Sequence, residues 1–295
     1  MPELNDYFLA INTIRQKTGI FMKKYTILLL SLFLYAFLTT CEQKQSYTLF
    51  VHGLKQNPYK KIQQYQKYNI IEKNAFTFKL YSNILKCTVG QEAEIENLIN
   101  AINHLQQKYP DEIIILRGVS LGAATICNYL GTVKNCLVHG AILESIFADI
   151  KDVLNHNTRY LTRLSKLYPP SKINKIGLKT LFPHHHISGI QPIKVIHAIP
   201  HHIPILILAT EQDIVVPLYS TINIYKELIK TGHTKCHLFI VKQGSHAAMC
   251  WGKEGVNVRN IEHAFRKYYN LGNYAEEFAQ AGWENFLNNT QPALK

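Results

Sequence analysis

Gly118-Val119-Ser120-Leu121-Gly122 sets a serine between two glycines, at the spacing of a nucleophile on a tight strand-to-helix turn. Such a turn projects the hydroxyl away from the sheet, and glycine on either side lets strand and helix pass closely. A serine hydroxyl attacks an acyl carbon only when a base removes its proton. His246, in Gly244-Ser245-His246, is the only histidine placed just after the last predicted strand, so it is the candidate base. Asp213 follows another apolar run, where its carboxylate can accept the second ring N–H and fix the tautomer. Glu211, two residues earlier, is the rival acid. The chemistry these residues would perform is acyl transfer to serine and then to water, which requires neither cofactor nor metal.

Secondary-structure elements must bring the three together. From residue 46 onward, apolar runs alternate with amphipathic stretches. Strands are expected at 47–51, 75–81, 112–117, 136–143, 203–209 and 236–241. Helices are expected at 58–73, 90–108, 123–130, 217–230, 256–270 and 274–287. Strand–helix alternation with strands apolar on both faces implies a parallel sheet covered on both sides. The stretch 150–200 breaks the rhythm; it is basic and proline-rich, and reads as a cap inserted over the strand ends. The expected order is therefore a targeting segment (1–40), a tether (41–45), one catalytic domain (46–287) and a tail (288–295).

These motifs resemble the α/β-hydrolase superfamily over nearly everything from residue 46 to about 270. The elbow is one part of the likeness. Leu49-Phe50-Val51-His52-Gly53 is similar to the family's strand and oxyanion loop, the segment 209–217 to its acid loop, and Gly244-Ser245-His246 to its histidine loop. The order Ser, Asp, His is also the family's. Leu143-Glu144-Ser145-Ile146-Phe147-Ala148-Asp149 resembles a membrane-associated branch holding monoacylglycerol-lipase-like, depalmitoylase-like and serine-aminopeptidase-like proteins. The resemblance implies an α/β-hydrolase fold with a mostly parallel sheet, helices on both faces and a cap. It implies a triad of Ser120, His246 and Asp213, with the backbone N–H groups of Leu54 and Leu121 receiving the oxyanion. It also implies that His52 supports its loop and takes no part in catalysis. The family's usual first two strands have no room between Cys41 and Ser46, so about six strands are expected.

Lys23-Lys24 followed by the apolar run 26–38 reads as a signal sequence. Leu38-Thr39-Thr40-Cys41 resembles a bacterial lipobox, with Thr40 departing from the small residue preferred there. Cys41 is thus a candidate lipid attachment site, placing the protein at the extracytoplasmic face of a membrane; the alternative is a secreted or periplasmic protein. Strand 47–51 runs toward His52, so an anchor at Cys41 would leave from the sheet's opposite edge. Five further cysteines, Cys87, Cys127, Cys136, Cys236 and Cys250, read as small buried residues rather than a disulfide framework. The 32 Lys+Arg against 20 Asp+Glu give +12, which suits anionic surroundings. The charge is scattered and no zinc-finger spacing occurs, which argues against nucleic acid. His184, His185, His186, His197, His201 and His202 crowd the insertion and are expected as a polar rim, not a metal site. The expected partner is a small acyl ester or thioester. Peptidase action through the same triad, and a non-catalytic fold used for binding, remain the alternatives.

Overall fold

Strands form where apolar residues cluster. In the computed structural model, which describes residues 45–161, 178–180, 182–186 and 188–289, six of them build one sheet. All described residues belong to one unit, Lys44–Lys295. In chain order the elements are β1 (Ser46–Val51), α1 (Pro58–Lys67), β2 (Phe76–Thr77), α2 (Glu92–Lys108), β3 (Ile113–Val119), α3 (Leu121–Thr132) and β4 (Gly140–Glu144). They continue with α4 (Ile150–Leu161), α5 (Pro192–Val195), β5 (Ile205–Thr210), α6 (Leu218–Lys230), β6 (Cys236–Val241), α7 (Gly255–Tyr268) and α8 (Glu276–Asn289). The candidate lipid site Cys41 and the targeting segment lie outside the described residues, as do 162–177 of the insertion and 290–295 of the tail. Among the described residues, no helix is long and apolar enough to cross a membrane.

The sheet order is β2-β1-β3-β4-β5-β6, and every adjacent pair runs parallel. Alternation along each strand divides the core into two layers. Ile114, Leu116, Ile205 and Ile207 face one layer, while Ile113, Ile115, Leu206 and Leu208 face the other. The first layer packs α2, α3 and α6 through residues such as Leu98, Ile126 and Ile224; the second packs α1, α7 and α8 through Tyr65, Phe265 and Phe286. Connections run outward to β2 on one side of β1 and to β4, β5 and β6 on the other side of β3. The crevice where they diverge, at the carboxyl ends of β1 and β3, is where such sheets hold their ligands.

Several boundaries differ from those the sequence suggests. The first helix stops at Lys67 instead of 73: Asn69 takes φ 54°, and the Ile70 N–H turns back to the Tyr65 carbonyl (3.0 Å), sending Ile70 and Ile71 into the core. Strand β2 keeps only Phe76–Thr77 of the expected 75–81. After Thr77 the chain leaves the ladder, because the Leu80 N–H donates to His52 Nε2 (3.0 Å) and the Tyr81 hydroxyl receives the Lys55 N–H (2.6 Å). β4 begins at Gly140 rather than 136, and β5 at Ile205, after Pro204, which has no N–H to give the ladder.

Burial also makes the fold acid-sensitive. Burial holds His233, His237 and His263 at about 4. His263 shows why neutrality suits the fold: Nε2 donates to the Asn69 carbonyl (2.7 Å), while Nδ1 receives the Ala275 N–H (3.0 Å). In the unfolded chain these rings titrate near 6.5, so between about 6.5 and 4 the unfolded state binds more protons. Stability from these groups is complete above that window and lost as pH falls through it. Tm followed by circular dichroism should drop across this range, and His263→Gln, which can both donate and accept, should flatten part of the drop.

Candidate active site

Ser120 ends the strand and starts the helix. It has φ 54° and ψ −115°, a conformation disfavoured for a residue with a Cβ. Two bonds hold it there. Its N–H donates to the Glu144 carbonyl (2.8 Å), and its carbonyl receives the Ala124 N–H (3.0 Å). The flanking glycines have steric reasons: a Cβ on Gly118 would sit 2.6 Å from the Ala123 nitrogen, and one on Gly122 would sit 2.0 Å from the Val51 carbonyl oxygen. β1, β3 and α3 therefore meet at a distance only glycine permits.

His246 and Asp213 come from the loops after β6 and β5. His246 Nδ1 lies 2.9 Å from Asp213 Oδ2, and the second carboxylate oxygen, Oδ1, receives the N–H groups of Val215 (2.9 Å) and Val216 (2.8 Å). Burial pushes the Asp213 carboxyl up, but the hydrogen bond and charge of His246 and the Val216 N–H outweigh it, and the net effect holds it below its ordinary value. An ionised Asp213 fixes a proton on Nδ1 and leaves Nε2 free to act as a base. Glu211, the rival acid, is exposed.

The loop after β1 carries the other predicted residues. His52 is buried; Nε2 receives the Leu80 N–H, so Nδ1 holds the proton and donates to the Gly53 carbonyl (2.8 Å). Both ring nitrogens are thus spent on loop support, and burial lowers the pKa of the ring. The Gly53 N–H donates to Gln56 Oε1 (3.0 Å), closing the loop's turn. Leu121 is the first residue of α3, where backbone N–H groups have no partner within the helix.

Ser120, His246, Leu54 and Leu121 line one cavity of about 430 Å³. The remaining wall is mostly apolar: Val89, Phe147, Ile150, Val153, Leu154, Phe182 and Val215, with Gln56 and Asn157 as its other polar members. The expected insertion thus plays two parts. α4 and Phe182 wall the cavity, whereas Pro192–Ala198 packs beneath, with Val195 against Gly131 of α3 and Ile196 in the core. Sequence reading missed the contribution of α4, although Ile150, Val153, Leu154 and Asn157 recur at helical spacing. The expected histidine rim needs correction: His197 lies in the Ile196–Ala198 turn that packs against the core, and His201 and His202 precede the amino end of β5, with the His201 ring 5.4 Å from His233, so these three sit away from the cavity. His184 and His186 are exposed, but His185 is buried, with Nδ1 2.8 Å from the Thr88 carbonyl, because the 182–186 segment folds down on the loop before α2. All five cysteines beyond Cys41 are unpaired, and four of them are buried.

Beneath the elbow lies a charged network that the sequence did not reveal. Arg117 is fully buried and bonds Glu144 (2.9 Å) and Glu262 (2.7 Å). Its guanidinium stacks on Tyr65, 4.0 Å from the ring centre, and the Tyr65 hydroxyl donates to Glu144 (2.7 Å). β3, β4, α1 and α7 are tied together three residues before the candidate nucleophile. Removing one partner would strand a buried charge, so each member of the network depends on the others.

No protein-family model matches the chain, and no curated protein matches its sequence. Solved structures do match. The esterase Pf2001 of Pyrococcus furiosus aligns over 76% of this chain and 82% of its own at 16% identity, with a TM-score of 0.58. Est1E from Butyrivibrio proteoclasticus aligns over 78% and 89% at 13% identity, with a TM-score of 0.50. The acylaminoacyl peptidase of Pyrococcus horikoshii aligns over 80% of this chain but 38% of its own, at 16% identity and a TM-score of 0.50. Likeness at this level speaks to architecture, and with the six-stranded parallel sheet it gives the chain an α/β-hydrolase fold.

Proposed function

We propose, from the premise of an α/β-hydrolase fold, that this protein is a serine hydrolase cleaving an acyl ester or thioester through an acyl-enzyme. His246 Nε2 takes the Ser120 proton as Oγ bonds to the acyl carbon. Asp213 holds the opposite ring N–H and stabilises the imidazolium that forms. The carbonyl oxygen becomes an oxyanion, received by the Leu121 and Leu54 N–H groups; losing one such donor typically raises the barrier by about 3 kcal/mol. The bond to the leaving oxygen or sulfur then breaks as His246 returns the proton to it. Water, activated by the same ring, releases the acid and restores Ser120.

The observation that carries this reading is the convergence of the strained Ser120 and the His246–Asp213 pair on one apolar cavity. The apolar lining of the cavity supports acyl chains as substrates ahead of peptides. Among the described residues lining it there is no carboxylate to meet a peptide amine. A panel of acyl esters, acyl thioesters and aminoacyl amides tests the assignment. Esters or thioesters should turn over well ahead of the amides. Preference for amides would favour the peptidase alternative, and no turnover of any member would favour a binding role.

A further inference from the structure

One wall of the cavity is built at a conformational cost. Val89 has φ 59°, in the left-handed region, and is buried. A β-branched residue there is a genuine outlier, since its Cβ substituents crowd the backbone. Glycine would take the same conformation freely. Strain of this kind persists only where the surroundings over-determine it, and it collects at ligand-binding sites.

The surroundings here do over-determine it. Glu94, in the first turn of α2 and fully buried, receives the Thr88 N–H (3.0 Å), the Thr88 hydroxyl and the Gly90 N–H (3.1 Å). Asn128 of α3 donates to the Gly90 carbonyl (2.7 Å). The buried Gln91 receives the His186 N–H (2.9 Å) and donates to the carbonyls of His186 (2.8 Å) and Ile190 (3.1 Å). With His185 on the Thr88 carbonyl, the residues on both sides of Val89 are fastened to α2, to α3 and to the segment that brings Phe182 to the cavity. Held between these fixed neighbours, Val89 lines the cavity and packs in the buried core beside it.

We propose that Val89 is a specificity-determining residue, its isopropyl group setting the length of acyl chain the cavity accepts. This rests on the acyl-hydrolase reading above. Val89→Gly should remove the strain and the group together, keeping the loop while enlarging the cavity. Val89→Leu should extend the wall inward. The test compares kcat/KM over a series of p-nitrophenyl esters with saturated chains of graded length, and in parallel the binding of the matching free fatty acids by calorimetry in a Ser120→Ala background. Val89→Gly should raise the ratio of long-chain to short-chain kcat/KM by about tenfold or more, the discrimination one methylene provides in an apolar pocket. Val89→Leu should lower it, and fatty-acid affinities should shift in the same directions. Unchanged length preference in both variants, or no fatty acid bound in the Ser120→Ala background, overturns the proposal. If no ester turns over while fatty-acid preference shifts as stated, the hydrolase reading fails and the role of Val89 stands.

Discussion

Replacing Ser120 with alanine should lower kcat by about 10⁶-fold, the scale seen when a triad nucleophile is lost, and leave the protein folded. The structure says why the fold should survive. The elbow is held by the Ser120 backbone, through the Glu144 carbonyl and the Ala124 N–H, and by the glycines on either side. Its side chain makes no capping bond to α3. Alanine accepts the same strained φ no worse than serine does, so Tm should scarcely move. Residual activity above water would come from the oxyanion donors and the cavity. Turnover of the best substrate, measured beside a melting curve, checks both halves; a variant that keeps its activity would remove Ser120 from the chemistry.

Asp213→Asn should reduce kcat by about 10⁴-fold, through a proton on the wrong nitrogen. Oδ1 of residue 213 receives two backbone N–H groups, from Val215 and Val216. An asparagine therefore keeps its carbonyl oxygen on that side and turns its amide N–H toward His246 Nδ1. Nδ1 must then accept, Nε2 must carry the proton, and the ring cannot take another from Ser120. Glu211→Gln separates this account from its rival. Glu211 is exposed, so its loss should leave kcat unchanged. A large loss in Glu211→Gln, with Asp213→Asn active, would exchange the two roles.

The parts legible in the sequence are those whose physics is local. Two glycines around a serine, after a run such as Ile113-Ile114-Ile115-Leu116, specify a strand, a turn and a helix from neighbouring residues alone. Uninterrupted apolar strands likewise announce a sheet buried on both faces, which is how the parallel order could be expected. Contacts between distant segments were not legible. Strand β2 shrinks because Leu80 and Tyr81 bond the loop after β1, across 28 and 26 positions. Nothing in the spacing of Arg117, Glu144 and Glu262 says they share one buried cluster. Val89 is the extreme case: valine is a strand former by propensity, and its positive φ follows from distant buried partners of its neighbours, Glu94, Asn128, Gln91 and His185. His185 was misjudged for a related reason, since its two histidine neighbours are exposed and composition cannot tell the middle ring from the outer two.

The proposed chemistry depends on Ser120 being made nucleophilic by His246, which lines the same cavity and is bonded to Asp213. Treating the folded protein with a fluorophosphonate and mapping the adduct by peptide mass spectrometry reads this directly. The account predicts a single phosphonyl group on the peptide carrying Ser120, formed much more slowly in Asp213→Asn and absent in Ser120→Ala. A folded wild-type protein that takes up no label, or carries it on another residue, would contradict it.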